Sequence, residues 1–222
     1  MDKNQNYIAI IGDIVQSKQE TKRANIQLKL EKTLKKINLE FSSDISANFG
    51  ITLGDEFQGL LHNPNNVLVI LETIEMELAP VKIRFGIGIG SITTTTIERY
   101  YPLGADGPAY HYARDMIDQL KDIEKKKKKE QYSCLLKSNK HDFDVLINAL
   151  FAQLHLQKTS WTARQTEIIQ VYHKLQNQTE VASTLGITQS TVQKGLAAAG
   201  YYYYEHSMNA IQATLNIMIG GI

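Results

Sequence analysis

The spacing of apolar residues at the start of the chain predicts a strand followed by a helix. A short apolar run at residues 7–11 stops at Gly12, which is typical of a buried central strand. Residues 21–39 then carry apolar side chains three and four positions apart, the pattern of an amphipathic helix that covers a sheet.

The next segments predict a β-hairpin, a second helix and another strand. Residues 46–52 and 56–61 are strand-like and are separated by Leu53-Gly54-Asp55, a composition typical of a tight turn. Asn65-Asn66 precedes a helical pattern as a cap, and Ala79-Pro80 ends that pattern.

Glycine alternates with apolar residues in the strand predicted at residues 81–90. Gly86, Gly88 and Gly90 fall on one face, so another backbone or a ligand should come close to that face. The predicted order β-α-β-β-α-β is that of a ferredoxin-like sheet. We therefore expect an α+β protein whose residues 1–140 form a ferredoxin-like domain of the palm type.

From Asp142 onward glycine becomes rare and the pattern turns helical, which predicts an all-α domain at residues 141–222. Within it, residues 178–192 match a helix-turn-helix. Ala182 is the small residue where the two helices cross, Gly186 is the turn glycine, and Val192 anchors the second helix.

This helix-turn-helix segment resembles region 4 of sigma factors, and the resemblance implies a DNA partner. The second helix, at about residues 189–199, would enter the major groove. The side chains that it would present to bases and phosphates are Gln189, Ser190, Thr191, Gln193 and Lys194. Few of these are basic, so we expect modest non-specific affinity unless a dimer presents two copies.

The C-terminal tail carries large apolar residues at spacings of three and four. They are Tyr201, Tyr204, Met208, Ile211, Leu215 and Met218. Such an a/d seam could join two chains into a homodimer, and packing on the chain's own body explains the pattern equally well.

Composition narrows the class of protein more than its function. With 222 residues, of which 43% are hydrophobic, the chain can form one large or two modest domains. The net charge of +1 hides a dense lysine block, Lys121 and Lys125–Lys129, which is most simply a solvated helix end and could also attract phosphates. A lone cysteine, no export signal and no apolar run near the ~20 residues of a membrane span predict a cytoplasmic protein without a membrane partner.

Two acidic corners carry the candidate chemistry. Asp13 follows the first strand, and Asp55 with Glu56 lies in the hairpin, each aspartate directly after a glycine. Carboxylates at the ends of neighbouring strands can hold Mg²⁺ against a triphosphate, because Mg²⁺ takes hard oxygen ligands. Either aspartate alone would be an ordinary turn residue, whereas the pair favours a metal site with Glu56 as a weaker third ligand.

These corners resemble the palm domains of class III nucleotidyl cyclases and diguanylate cyclases. Residues 53–57 differ from the Gly-Gly-Asp-Glu-Phe signature only in the first residue, and residues 11–14 resemble the first metal-binding segment of the cyclases. Residues 84–90 are similar to their next core strand. The resemblance implies Mg²⁺ and a nucleoside triphosphate as ligands, with Gly12, Gly54 and Arg84 at the cofactor.

Two departures from that pattern bear on catalysis. Where the cyclases carry an asparagine and, four residues later, an arginine, this chain has His111 and Arg114, which become the candidate catalytic residues. Phe49 stands where a base-selecting lysine is expected. Because phosphoryl chemistry depends on positioned cations, slow or absent turnover is expected. Arg114 could instead pair with Asp118 on its own helix.

Nearly the whole chain resembles the SatD family, through Gly-Asp-Ile at residues 12–14, Thr-Leu-Gly-Asp-Glu-Phe-Gln-Gly at 52–59 and Gly-Ala-Asp-Gly-Pro-Ala at 104–109. Together the two halves predict a regulator that couples a nucleotide-binding palm to a DNA-binding helix-turn-helix. The alternative is an active nucleotidyl cyclase or nucleotidyltransferase whose C-terminal helices serve for assembly. A protein-interaction module is a third interpretation.

Overall fold

The computed structural model describes residues 5–15, 20–94, 96–100, 104–127 and 132–220. The chain divides into two compact units. The first contains Met1–Ala152 together with Ile211–Ile222, and the second contains Gln153–Ala210. This division differs from the expected boundary at residue 140, because the C-terminal segment returns to the first unit.

A five-stranded sheet with the order β2-β3-β1-β4-β5 forms the centre of the first unit. Its strands are β1 Tyr7–Ile14, β2 Ile45–Leu53, β3 Glu56–Leu61, β4 Ile83–Gly90 and β5 Cys134–Lys137. β1 pairs antiparallel with both β3 and β4, and β2 pairs antiparallel with β3. The order of the first four strands confirms the ferredoxin-like prediction.

Three helices accompany the first four strands: α1 Glu20–Glu40, α2 Val67–Leu78 and α3 Pro108–Lys127. α1 packs against α2 and β2, while α3 packs along β4, β1 and β5. A Cβ added at Gly88 would lie 1.9 Å from the carbonyl oxygen of Ala109, and one at Gly86 would lie 2.2 Å from that of Ala113. The close approach predicted for the glycine face is therefore confirmed, and a helix backbone makes it.

The strand β5 was not expected from the sequence. It pairs parallel with β4 and is tied to the next helix, α4 His141–Ser160. The Asn148 side chain accepts a hydrogen bond from the Leu136 nitrogen at 2.7 Å and donates one to the Leu136 oxygen at 2.8 Å. This bidentate contact satisfies a backbone pair that the short sheet edge would otherwise leave open.

The predicted cap of α2 is wrong in its detail. Asn66 occupies the N-cap position but makes no side-chain cap hydrogen bond. Its Nδ2 donates instead to Oδ2 of the buried Asp44 at 2.5 Å. Pairing the otherwise uncompensated Asp44 carboxylate outweighs a cap, because a buried charge without a partner is costly.

The second unit contains the helix-turn-helix. α5 Ala163–Leu175, α6 Gln178–Leu185 and α7 Gln189–Ala198 all pack against one another. A three-residue turn joins α6 to α7, and Gly186 enters it in the left-handed conformation, with φ at 64°. The side chains of Asn177 and Thr188 cap α6 and α7, so both helices begin at defined residues.

The last helix, α8 Tyr201–Gly220, corrects the interpretation of the apolar seam. Ile211, Leu215 and Met218 are buried within the single chain, and Gln212 Nε2 donates to the Pro64 oxygen at 2.7 Å. The seam packs on the chain's own body, so it no longer supports the homodimer, which stays a prediction. Among the described residues, no helix is both long and apolar enough to cross a membrane.

Candidate functional site

The ends of three strands bring charged side chains together beneath α3. Asp13 on β1 lies opposite Glu56 on β3 and opposite Arg84 on β4 in the strand register. Arg84 is two residues before Gly86, so strand alternation places it on the face that α3 covers. The strand register therefore places Asp13, the first acidic corner, beside Glu56 of the hairpin corner.

Asp13 is held by two cations. Its Oδ2 accepts a hydrogen bond from Arg84 Nη1 at 2.5 Å, and its Oδ1 lies 2.9 Å from Lys121 Nζ. Arg84 in turn donates from Nε to Glu124 Oε2 at 3.0 Å, and its Nη2 contacts the same oxygen. Lys121 and Glu124 both belong to α3, so this helix supplies the outermost side chains of this set of ion pairs.

Glu56 forms a second, bidentate ion pair. Arg114 donates from Nη1 and Nη2 to the two Glu56 carboxylate oxygens, at 2.5 and 2.6 Å. The fork geometry of the guanidinium makes this a strong type of pair. Arg114 thus contacts the hairpin rather than being held only by Asp118. We call the set Asp13, Glu56, Arg84, Arg114, Lys121 and Glu124 the charge network.

The surroundings keep both arginines protonated. The hydrogen bonds that Arg114 donates to Glu56 raise the pKa of Arg114 against the opposing effect of burial, and the charges of Glu56, Asp118 and Asp13 raise it further. For Arg84, burial lowers the pKa, but the hydrogen bonds and charges of Glu124 and Asp13 together outweigh it and the pKa is raised. Both guanidinium groups therefore stay charged throughout the working pH range.

The carboxylate oxygens of the two corners are suitable ligands for Mg²⁺. In this structure those of Asp13 and Glu56 already form ion pairs with arginine and lysine side chains. The Ile14 nitrogen donates to the Asp55 oxygen at 3.1 Å, which holds the hairpin turn beside the end of β1. All four carboxylate oxygens of Asp13 and Glu56 contact cations. Within the described residues, no three His, Cys, Asp or Glu side chains are grouped as a metal site. Mg²⁺ can take these oxygens only in exchange for the cations.

Both glycines of the corners have local structural reasons. A Cβ at Gly12 would lie 2.1 Å from the Phe57 ring, so the strand pair requires glycine there. Gly54 adopts φ of 62° in the hairpin turn and its carbonyl accepts a hydrogen bond from Gln27 Nε2 at 3.0 Å. Their proposed place at a cofactor stays a prediction.

The structure does not bring His111 or Phe49 into the charge network. His111 Nε2 lies 2.9 Å from Asp106 Oδ1, in the loop before α3, and both side chains are exposed. Phe49 is buried over Gly59, and its backbone pairs with the Asn38 side chain of α1. Phe49 is therefore a packing residue, and of the two candidate catalytic residues only Arg114 touches the network.

The candidate DNA-binding surface lies on α7. Its five predicted contact residues, Gln189, Ser190, Thr191, Gln193 and Lys194, are all exposed. Val192 and Leu196 of the same helix are buried and hold it against α5 and α6. The second unit is nearly neutral, with four basic side chains (Lys158, Arg164, Lys174, Lys194) and three glutamates (Glu167, Glu180, Glu205).

The family of the chain follows from its sequence as a whole. The model of the SatD family matches residues 7–215, which is most of the chain and includes both units. The chain belongs to the SatD family. No curated protein shows significant sequence similarity to this SatD protein.

Solved structures with a similar fold include nucleotide cyclases. A bacterial light-regulated adenylyl cyclase has a TM-score of 0.43 and 11% identity over 60% of this SatD chain and 75% of its own. The guanylyl cyclase domain of a RhoGC fusion protein from the fungus Blastocladiella emersonii has a TM-score of 0.40 and 15% identity over 51% and 74%. A regulator of polyketide synthase expression from Bifidobacterium adolescentis scores 0.31 at 15% identity over 97% and 83%.

Two network residues of the SatD protein, Lys121 and Glu124, were missed by sequence reasoning. Lys121 stands seven residues after Arg114, about two helical turns, so both project from the same side of α3. That spacing was available in the sequence. It was obscured because Lys121 lies at the start of a lysine-rich block that has the composition of a solvated helix end.

Proposed function

We propose that this SatD protein is a regulator that binds a nucleoside triphosphate with Mg²⁺ at the charge network and the adjoining Asp55, and binds DNA through α7. The observation that carries the nucleotide part is the convergence of Arg84, Arg114 and Lys121 on the carboxylates of Asp13 and Glu56. One edge of the palm thus holds both the cations that phosphate needs and the hard oxygens that Mg²⁺ needs.

Each member of this site has a distinct task in binding. The guanidinium forks of Arg84 and Arg114 suit phosphate oxygens, and the Lys121 ammonium adds a point charge. Asp13, Asp55 and Glu56 would hold Mg²⁺, which when bound neutralises charge on the phosphates. Gly12 leaves room for the Phe57 ring beside β1, and Gly54 adopts the left-handed conformation in the turn that carries Asp55.

Nucleotide binding should appear as Mg²⁺-dependent thermal stabilisation. ATP or GTP with MgCl₂, at ~100 times the dissociation constant, should raise the Tm by about 5 °C, because a ligand of the folded state stabilises it. Asp55→Asn should remove this shift and leave the Tm of the free protein nearly unchanged.

Asp115→Asn is the matched control for this measurement, since Asp115 lies on α3 and pairs with Lys137 outside the network. It should retain the full shift. A wild-type shift that survives Asp55→Asn would remove the hairpin aspartate from the site.

The DNA part is supported by a capped helix whose polar side chains face outward. Binding to a fluorescent random-sequence duplex at low salt should show a slope of log K against log[salt], and Lys194→Ala should reduce that slope by about one. Lys174→Ala, which removes another exposed lysine, on α5, is the control and should leave the slope unchanged. Equal slopes for wild type and Lys194→Ala would exclude α7 as the DNA-contacting helix.

A second candidate function is nucleotidyl cyclase or nucleotidyltransferase activity, favoured by the presence of Arg114 in the network. An arginine beside the metal-binding carboxylates could stabilise charge on a transferring phosphoryl group. Product assays with purified protein, Mg²⁺ and ATP or GTP separate the two functions. Cyclic product that disappears in Asp13→Ala supports the enzyme, whereas binding without product supports the regulator.

A further inference from the structure

The charge network is balanced, and its three strand residues are more shielded from solvent than its three helix residues. It contains three carboxylates and three cations, each engaged in at least one ion pair. The side chains of Asp13, Arg84 and Glu56 are each 14% exposed. Because breaking a shielded pair leaves an uncompensated charge, any ligand that enters must supply a partner for each group it releases.

We infer that the site accepts a divalent cation and a polyphosphate only together, and that Lys121 acts as the residue that excludes the cation alone. This inference rests on the proposed function and names the form of its ligand: a metal-bound nucleoside polyphosphate, with neither free Mg²⁺ nor free nucleotide as a substitute. Arg84, Arg114 and Lys121 are its phosphate-binding residues.

Mg²⁺ alone is disfavoured by the cations it must displace. To reach Asp13 it has to replace Arg84 Nη1 on one oxygen and Lys121 Nζ on the other. The two displaced cations would then stand beside a divalent ion without anions of their own, apart from the Glu124 that Arg84 keeps. Asp118 contributes little, because it is exposed and its charge is screened by water and salt.

A polyphosphate alone meets the opposite difficulty. It would have to draw Arg84, Arg114 and Lys121 away from Asp13 and Glu56. These two carboxylates would remain, largely shielded, next to the added negative charges of the phosphates. Like charges at such distances in a partly dry site repel strongly, so this arrangement is also unfavourable.

The two ligands together remove both difficulties. The metal takes the carboxylate oxygens, the phosphates take the guanidinium and ammonium groups, and metal and phosphate neutralise each other. Every charged group that gives up its ion-pair partner of the free protein gains a new partner in the complex. Metal and polyphosphate should therefore bind with strong positive coupling, each raising the affinity of the other by the same factor.

Thermal shift and calorimetry in four conditions test the coupling: no ligand, MgCl₂ alone, ATP or GTP in EDTA, and nucleotide with MgCl₂. The wild-type Tm should rise only in the fourth condition, and nucleotide affinity should fall at least about tenfold without Mg²⁺. If MgCl₂ and nucleotide each stabilise the protein alone and their effects only add, this inference fails and the proposed function stands. If no condition stabilises it, the proposed function fails as well.

Lys121→Met gives a readout that a merely structural lysine would not change. The substitution keeps the aliphatic stem and releases Asp13 Oδ1, so MgCl₂ alone should now raise the Tm, while affinity for Mg-nucleotide should fall about tenfold. Lys137→Met is the matched control, because Lys137 pairs with Asp115 outside the network and should behave as wild type. A Lys121→Met protein that still ignores MgCl₂ alone would overturn the assigned role of Lys121.

Discussion

Gly88→Ala should lower the free energy of unfolding by about 3 kcal/mol, near the upper end of the usual cost of overpacking. The added Cβ would lie 1.9 Å from the Ala109 oxygen and 2.5 Å from the Ala113 nitrogen. These are backbone atoms of α3, which cannot move aside as the end of a flexible side chain can. Urea denaturation of the purified variant measures the loss directly.

Gly90→Ala is the control for this prediction, because it adds the same methyl group on the same face of β4. Its nearest neighbours, the Ala109 nitrogen and Pro108 Cβ, lie 3.1 Å away. A shift of a few tenths of an ångström relieves that contact, so the cost should stay below about 1 kcal/mol. Equal stability of the two variants would contradict the direct contact of α3 with β4.

Arg84→Met should be the second large loss, about 2–4 kcal/mol. It removes the cation that Asp13 and Glu124 share, and breaking a buried pair usually costs ~3–5 kcal/mol. The lower range applies here because Glu124 is one-third exposed and water can partly solvate it. Arg164→Met, which breaks an exposed pair with Glu167, should cost less than about 1 kcal/mol.

A double variant distinguishes loss of charge balance from loss of packing. In Arg84→Met with Asp13→Asn, the released carboxylate is gone, so the double variant should be more stable than the sum of the two single losses predicts. Additive losses in the urea midpoints would show that the Arg84–Asp13 pair contributes no coupling energy.

Much of the palm could be predicted because local patterns determine it. The glycine alternation at residues 86–90 correctly predicted a close backbone approach, since a missing side chain on one face needs a neighbour to fill the space. The strand β5 could not be predicted in the same way. It has only four residues, and it pairs with a strand far earlier in the chain, with Cys134 beside Phe85 of β4.

The candidate site was predicted in part: Asp13, Glu56, Arg84 and Arg114 were expected, and the two α3 residues Lys121 and Glu124 were not. Asp13 and the hairpin corner were found because strand ends of a known topology meet at one edge. Lys121 and Glu124 were not, because charged residues on a helix look the same whether they face water or a carboxylate. Which surface a residue faces is set by tertiary packing, and the same limit explains Ile211 and Leu215, whose seam spacing fits a partner chain and the chain's own body alike.

Two glycines of β4 that face α3, Gly86 and Gly88, also fix the rotation of this helix about its own axis. With Ala109 and Ala113 pressed on Gly88 and Gly86, the helix can neither rotate nor slide without a backbone collision. One residue corresponds to about 100° of helical rotation. A single-residue insertion just after Ala113 would therefore turn Arg114 and Lys121 away from their carboxylates, together with Ile117, which packs on Gly86. The rotation of α3 about its axis thus decides which of its side chains meet the two acidic corners.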